Sequence, residues 1–287
     1  MIWYWALGWF ITILALLGNG SVFFLIVFKR SLHTITNWFI LSLAVADFIA
    51  ALTFLPVRYF ANFHYNIDLG HAGLWYKICF TFLYSSTTNL CVLTMDRYMA
   101  VSKPFKYAQY MNRKKAIFLI FIAWLFPLIF FTLPAALSYR DNEVFTMVSE
   151  INRIFVFQVF PSIFFVLVTL RLILTARKIT RQCYALEAQV RYNHAAYLAS
   201  CKSLLRPERR TSIMIILIIT LFNITYAGGN VICYCFVTKT CVLPNILDKI
   251  IRLFYIIHLS ANPFVYAFYK KDIRKCVKIL LRKFAVN

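Results

Sequence analysis

LCVLTMDRYMAVSKP, Leu90 to Pro104, sets a carboxylate, a guanidinium and a phenol side by side at the end of an apolar run. From Leu74 to Thr94 the only formal charge is Lys77, so the pattern predicts a membrane-spanning helix over about 74–95 that surfaces at Asp96 and Arg97. Taken alone, such a pair reads as a helix terminus whose long basic side chain reaches the interface beside a local ion pair. Composition carries the argument further. At 287 residues, 62% hydrophobic and 18% aromatic, with a mean hydropathy of +0.72, the chain has too little polar surface to cover a soluble globule. A span needs about 20 mostly apolar residues, and seven runs qualify: roughly 4–28, 36–60, 74–95, 116–137, 151–174, 211–236 and 246–268. The predicted fold is an all-α bundle of seven transmembrane helices in one domain, 1–287.

Sorting the basic residues by side of the membrane gives the orientation. Of the 31 Lys and Arg, 24 fall on the side of Asp96 and Arg97, which is therefore expected to be cytoplasmic, with the N-terminus outside. The net charge of +21 then reflects topology and attraction to an anionic leaflet, and nucleic acid is an unneeded partner. The first run is too long for a secretory signal and has no basic segment before it, so it is read as a span. Two glycosylation sequons, at Asn19 and Asn223, lie inside spans, where a glycosylating enzyme does not reach.

Asp96-Arg97-Tyr98, with Pro104 seven residues after the arginine, resembles the end of the third helix of rhodopsin-like (class A) seven-helix receptors that activate G proteins. Further landmarks of that family follow in order: Gly18-Asn19, Leu43-Ala44-Val45-Ala46-Asp47, Trp124, Phe160-Pro161 and Asn262-Pro263-Phe264-Val265-Tyr266. The resemblance spans nearly the whole chain. It implies a receptor, not an enzyme, at the plasma membrane, with an extracellular ligand, a heterotrimeric G protein, an arrestin and a receptor kinase as partners. It also implies a switch in which Arg97 pairs with Asp96 and Glu208 at rest, with Tyr98, Asn262, Pro263 and Tyr266 as further members. Asp47, Ser86 and Asn262 match a sodium site of the family; the reading without bound sodium is a protonated or water-bridged Asp47. No other cofactor is expected.

Departures from the family pattern narrow the reading. The cysteine expected at the outer end of the third helix is Ala72, and Ser138–Glu150 contains no cysteine, so the usual loop disulfide is absent. Cys235 and Cys241 could form a small bridge, and Cys276 is a lipidation candidate in a basic amphipathic segment over about 269–282. The tyrosine usual eight residues after the fifth-helix proline is Thr169, and in the sixth span Tyr226 and Gly228 replace a tryptophan and a proline. Ile256 stands where a retinal-binding lysine would be, which disfavours light sensing. Cys79 stands where amine receptors carry an acid, which disfavours an amine.

The pocket candidates are Arg58, Cys79, Leu83, Arg153, Tyr226, Asn230 and Arg252. Three arginines in the outer thirds of their spans suggest an anionic ligand or a peptide's C-terminus. Local pairing, Glu150 with Arg153 and Asp248 with Arg252 at helical spacing, is the alternative. A multi-span transporter is the rival class, and it would favour internal repeats or more intramembrane charge. Hydrolysis would favour paired carboxylates, HExxH or GxSxG, none of which occurs.

Overall fold

The computed structural model describes residues 2–60, 74–134, 143–190, 213–214, 216–228 and 244–277. Among these the secondary structure is helical, with no strand. The first helix is Ile2–Phe28, the second Ile35–Phe60 and the third Leu74–Ser102. A short helix, Pro104–Tyr110, follows the third. The fourth helix, Arg113–Pro127, continues into a π-helical turn, Leu128–Thr132. Glu143–Ile154, the π-helical turn Phe155–Val159 and Phe160–Val190 together form the fifth. The sixth is described over Ile216–Gly228, and the seventh is Asn245–Tyr269. Six of these helices are long and apolar enough to cross a membrane, and the described part of the sixth is a shorter apolar helix. The protein is a multi-pass membrane protein.

Bilayer physics explains why the chain folds this way, since only a helix satisfies every backbone donor and acceptor within its own segment. Local sequence then sets the ends. Pro104 opens the short helix at a position where its missing N–H costs nothing. Asn112 caps the fourth helix by accepting from the Lys115 backbone N–H at 2.9 Å. The π turn in the fifth helix lies directly before Phe160-Pro161, where the proline ring lacks a donor and widens the preceding turn.

Two helices differ markedly in extent from the sequence expectation. The third helix continues seven residues past the expected end at 95, because a helix can leave the hydrocarbon layer without breaking its hydrogen bonds. The fifth starts at Glu143 instead of 151 and runs to Val190, well beyond the expected 174, so its polar distal part is helical. Within the expected amphipathic segment, residues 271–277 are helical, with Ile273 and Cys276 buried and Lys271, Asp272 and Lys275 exposed.

The third helix is the axis of the bundle. It packs against the second, fourth and fifth, while the first packs against the second and seventh. Its face is polar in the buried interior: Thr81, Ser85, Ser86, Thr87, Asn89 and Thr94 are all buried. Trp124 of the fourth helix donates to Ser42 Oγ of the second at 3.0 Å, and Ser42 donates in turn to Asn89 Oδ1 of the third at 2.6 Å. Thr88 Oγ1 donates to the Ala123 carbonyl at 2.6 Å. Hydrogen bonds lock helices where the apolar effect cannot, because lipid is as apolar as the core. The outward faces are the reverse, with Phe10, Phe24, Phe118, Phe121 and Phe160 exposed to what would be lipid.

Candidate functional site

The described bundle holds three groups of functional side chains along its axis. At the centre, Asp47 of the second helix is fully buried. Ser86 of the third helix donates to its Oδ1, and Asn262 Nδ2 of the seventh donates to its Oδ2 at 2.8 Å. Asn19 of the first helix donates to the Ala15 and Leu259 carbonyls, each at 2.9 Å. The second, third and seventh helices are thus tied around one carboxylate, and Asn19 ties the first helix to the seventh. Asn19 Oδ1, Asn262 Oδ1 and both ring nitrogens of His258 are buried with no hydrogen-bond partner among the described residues. Carboxylate, hydroxyl and amide oxygens are the donor types a hard cation takes, and Asp47, Ser86 and Asn262 bring one of each together here. Leu259 contributes only its carbonyl, already taken by Asn19.

At the end marked by the charged triplet, Arg97 donates to Asp96 Oδ2 through Nε at 2.9 Å and through Nη2 at 2.6 Å. Asp96 is buried, and the Arg97 side chain is 16% exposed. Tyr107, from the short helix, closes the group by donating to Asp96 Oδ1 at 2.7 Å. The Arg97 guanidinium lies 5.9 Å from the Tyr107 ring centroid, with Nη2 3.3 Å from the phenol oxygen. Burial, then the neighbouring Asp96, pushes the Tyr107 hydroxyl well above its ordinary range, so it remains a proton donor. Tyr98 is half-buried and packs against the core, and Tyr266 is fully buried. Glu208, the other expected partner of Arg97, lies outside the described residues. Sequence reading missed Tyr107, whose contact with Asp96 depends on how the short helix lies against the third.

Towards the opposite end lies an aromatic cluster. Tyr226 stacks on Phe222 at 4.1 Å and meets Tyr255 and His258 edge-on at 5.0 and 5.6 Å; Thr87 Oγ1 donates to its hydroxyl at 3.4 Å. Tyr84 stacks on Phe157 at 4.6 Å and accepts from Arg153 Nη1. Phe80 bridges Phe54, Tyr84 and Tyr255. Cys79 is buried and donates to the Thr53 carbonyl at 3.4 Å; Leu83 is buried, and so is Arg252. Arg58 lies in the second helix, but its side chain, like Asn230, Cys235 and Cys241, lies outside the described residues. Cys276 is 7% exposed and packs in the core. Cys79, Cys91 and Cys276 are free thiols.

A helical bundle with a carboxylate at its centre and an Asp-Arg pair at one end defines a polytopic membrane protein. Residues 18–266 match the family described as 7 transmembrane receptor (rhodopsin family), and the chain belongs to it. It is a family of signalling receptors, not of enzymes. The chain is 32% identical over 137 residues to the octopamine receptor beta-2R of Chilo suppressalis, a match covering 47% of this chain and 35% of that receptor. It is 36% identical over 111 residues to dopamine receptor 2 of Drosophila melanogaster, covering 38% and 21%. It is also 33% identical over 127 residues to the D(1A) dopamine receptor of Didelphis virginiana, covering 44% and 28%. The matched parts therefore span about a third or less of those relatives.

Proposed function

We propose that this protein is a receptor that takes a small extracellular ligand into its helix bundle and activates a heterotrimeric G protein at the end where Asp96, Arg97 and Tyr107 meet. The observation that carries the reading is this closed cluster at the membrane edge, in a chain of this receptor family. Arg97 is held by two partners that a rearrangement can release. The excess of Lys and Arg on that side supports a cytoplasmic placement, with the N-terminus outside. Phe105, 90% exposed between Lys103 and Lys106, offers an apolar anchor within a basic surface, the composition of a docking spot for a protein partner. Glu208 is the second restraint on Arg97 in this reading, and an arrestin and a receptor kinase follow as partners. Asp47, Ser86 and Asn262 would hold a sodium ion, which would favour the packed form of the helices around it.

The names of the relatives favour a biogenic amine as ligand over the acid or peptide that the arginines suggest. Cys79 supplies no carboxylate, so an ammonium would be met by the rings of Phe80 and Tyr255, a cation–π contribution of about 0.5 to 2 kcal/mol per ring. The half-buried Arg153 beside Tyr84 favours the second reading, an acidic ligand. Cells expressing the receptor, given octopamine, dopamine and related amines in one arm and small carboxylic acids in the other, decide the class through G-protein activation. An amine response that survives Arg153→Ala establishes the first reading; an acid response lost in that variant establishes the second. No G-protein response to any ligand, and none without ligand, would refute the receptor function.

A further inference from the structure

Lys270 is an unusual lysine. It sits between the seventh helix and the helical segment 271–277, with an extended backbone at φ −89° and ψ 110°, so it forms the hinge between them. Its side chain turns inward and is only 8% exposed. The ammonium nitrogen donates to Asn37 Oδ1 in the first turn of the second helix, and Asn37 Nδ2 donates to the Leu32 carbonyl at 2.7 Å. Asn37 is neutral. The charged groups that face Lys270 are Arg97 and Asp96 from the third helix and Asp272 from its own segment. Asp96 is already engaged by Arg97 and Tyr107, and the exposed Asp272 makes no hydrogen bond to it, so the one side-chain partner the ammonium meets among the described residues is the neutral Asn37.

We propose that Lys270 is a positioning residue of the signalling switch, a hinge lysine whose charge state sets how firmly the end of the seventh helix is tied to Asn37 and to the Asp96–Arg97 cluster. This rests on the receptor function proposed above. A neutral amine keeps the hydrogen bond to Asn37 and coexists with Arg97. A charged one is held out of water beside a like charge and competes for Asp96, which favours swinging the segment outward and loosening Arg97.

Burial, aided by Arg97, brings the Lys270 pKa down from 10.5 to about 7. The sign follows directly. A base whose pKa is depressed in the packed form favours that form at high pH and disfavours it as pH falls. An opened form that exposes the lysine gains by at most about tenfold between pH 8 and pH 6, and the effect flattens below the depressed pKa.

The test uses the full chain in lipid nanodiscs with two readouts at pH 8, 7 and 6: nucleotide exchange on an added G protein without ligand, and the distance between spin labels at Thr34→Cys and Lys275→Cys. In the otherwise native chain, acidification should lengthen the distance and raise basal exchange severalfold. Lys270→Gln should hold both near their pH 8 values at every pH, and Lys270→Arg should hold both near their pH 6 values. A pH response that persists unchanged in Lys270→Gln, or a distance that does not move between pH 8 and 6, overturns the proposal. Distances that shift while no variant shows any exchange would instead refute the receptor reading and leave the hinge lysine supported.

Discussion

Tyr107 lies ten residues beyond Arg97 in sequence, yet its hydroxyl fills one of the two oxygens of Asp96. Removing that hydroxyl leaves a buried carboxylate oxygen short of a donor, which costs about 1 to 3 kcal/mol. In Tyr107→Phe the closed cluster should lose that much, so ligand-independent G-protein activation should rise at equal surface expression. Unchanged basal activity would mean that Asp96 alone holds Arg97. The Asp47 centre poses the same question of satisfaction at greater depth. Ser86→Ala withdraws one of two donors from a carboxylate with no water-exposed route, and the thermal midpoint of the purified protein should fall by several degrees. Both partners of the Asp47–Ser86 pair were legible as a family match, whereas of the Asp96–Tyr107 pair only Asp96 was.

Among the helices, close approach depends on what faces the glycines. A Cβ built on Gly18 in the first helix would stand 3.0 Å from both Cβ and Cγ of Pro263 in the seventh. Pro263 is a rigid ring next to Asn262, so it cannot yield without shifting the residue that holds Asp47. Gly18→Ala should therefore destabilise the bundle by about 1 to 3 kcal/mol, the range for overpacking. At Gly8 the tightest neighbour is also 3.0 Å away, but it is a methyl of Leu55, the far end of a flexible side chain. Gly8→Ala should be nearly neutral in the same melting assay, and an equal loss at both sites would show that the proline plays no special part. The apolar spans came readily from sequence, whereas the helix start at Pro104 and the cap at Asn112 emerged only with the structure. The extra length of the fifth helix was harder to read, since it runs beyond the apolar stretch that marks the span.

At the scale of the molecule, stability comes from a polar spine on the third helix and aromatic packing around it, with no disulfide among the described cysteines. Mild reductant should leave the helical signal and the melting midpoint within about a degree or two, well under the loss expected of a structural bridge. A larger drop, abolished by Cys79→Ala, would show that the third helix is wrongly placed. The amino-acid sequence by itself determined the membrane class, the seven apolar runs, the family and the identity of Asp47, Ser86, Asn262, Asp96 and Arg97, because apolar length and motif order are local properties of the chain. Tertiary structure decided what touches those residues. Tyr107 closes on Asp96, Asn19 reaches the Leu259 carbonyl, Arg153 is turned onto Tyr84, and Lys270 is buried on Asn37. Each of these depends on which helix faces which and on the water excluded between them, and a one-dimensional pattern of polar and apolar residues does not encode that directly.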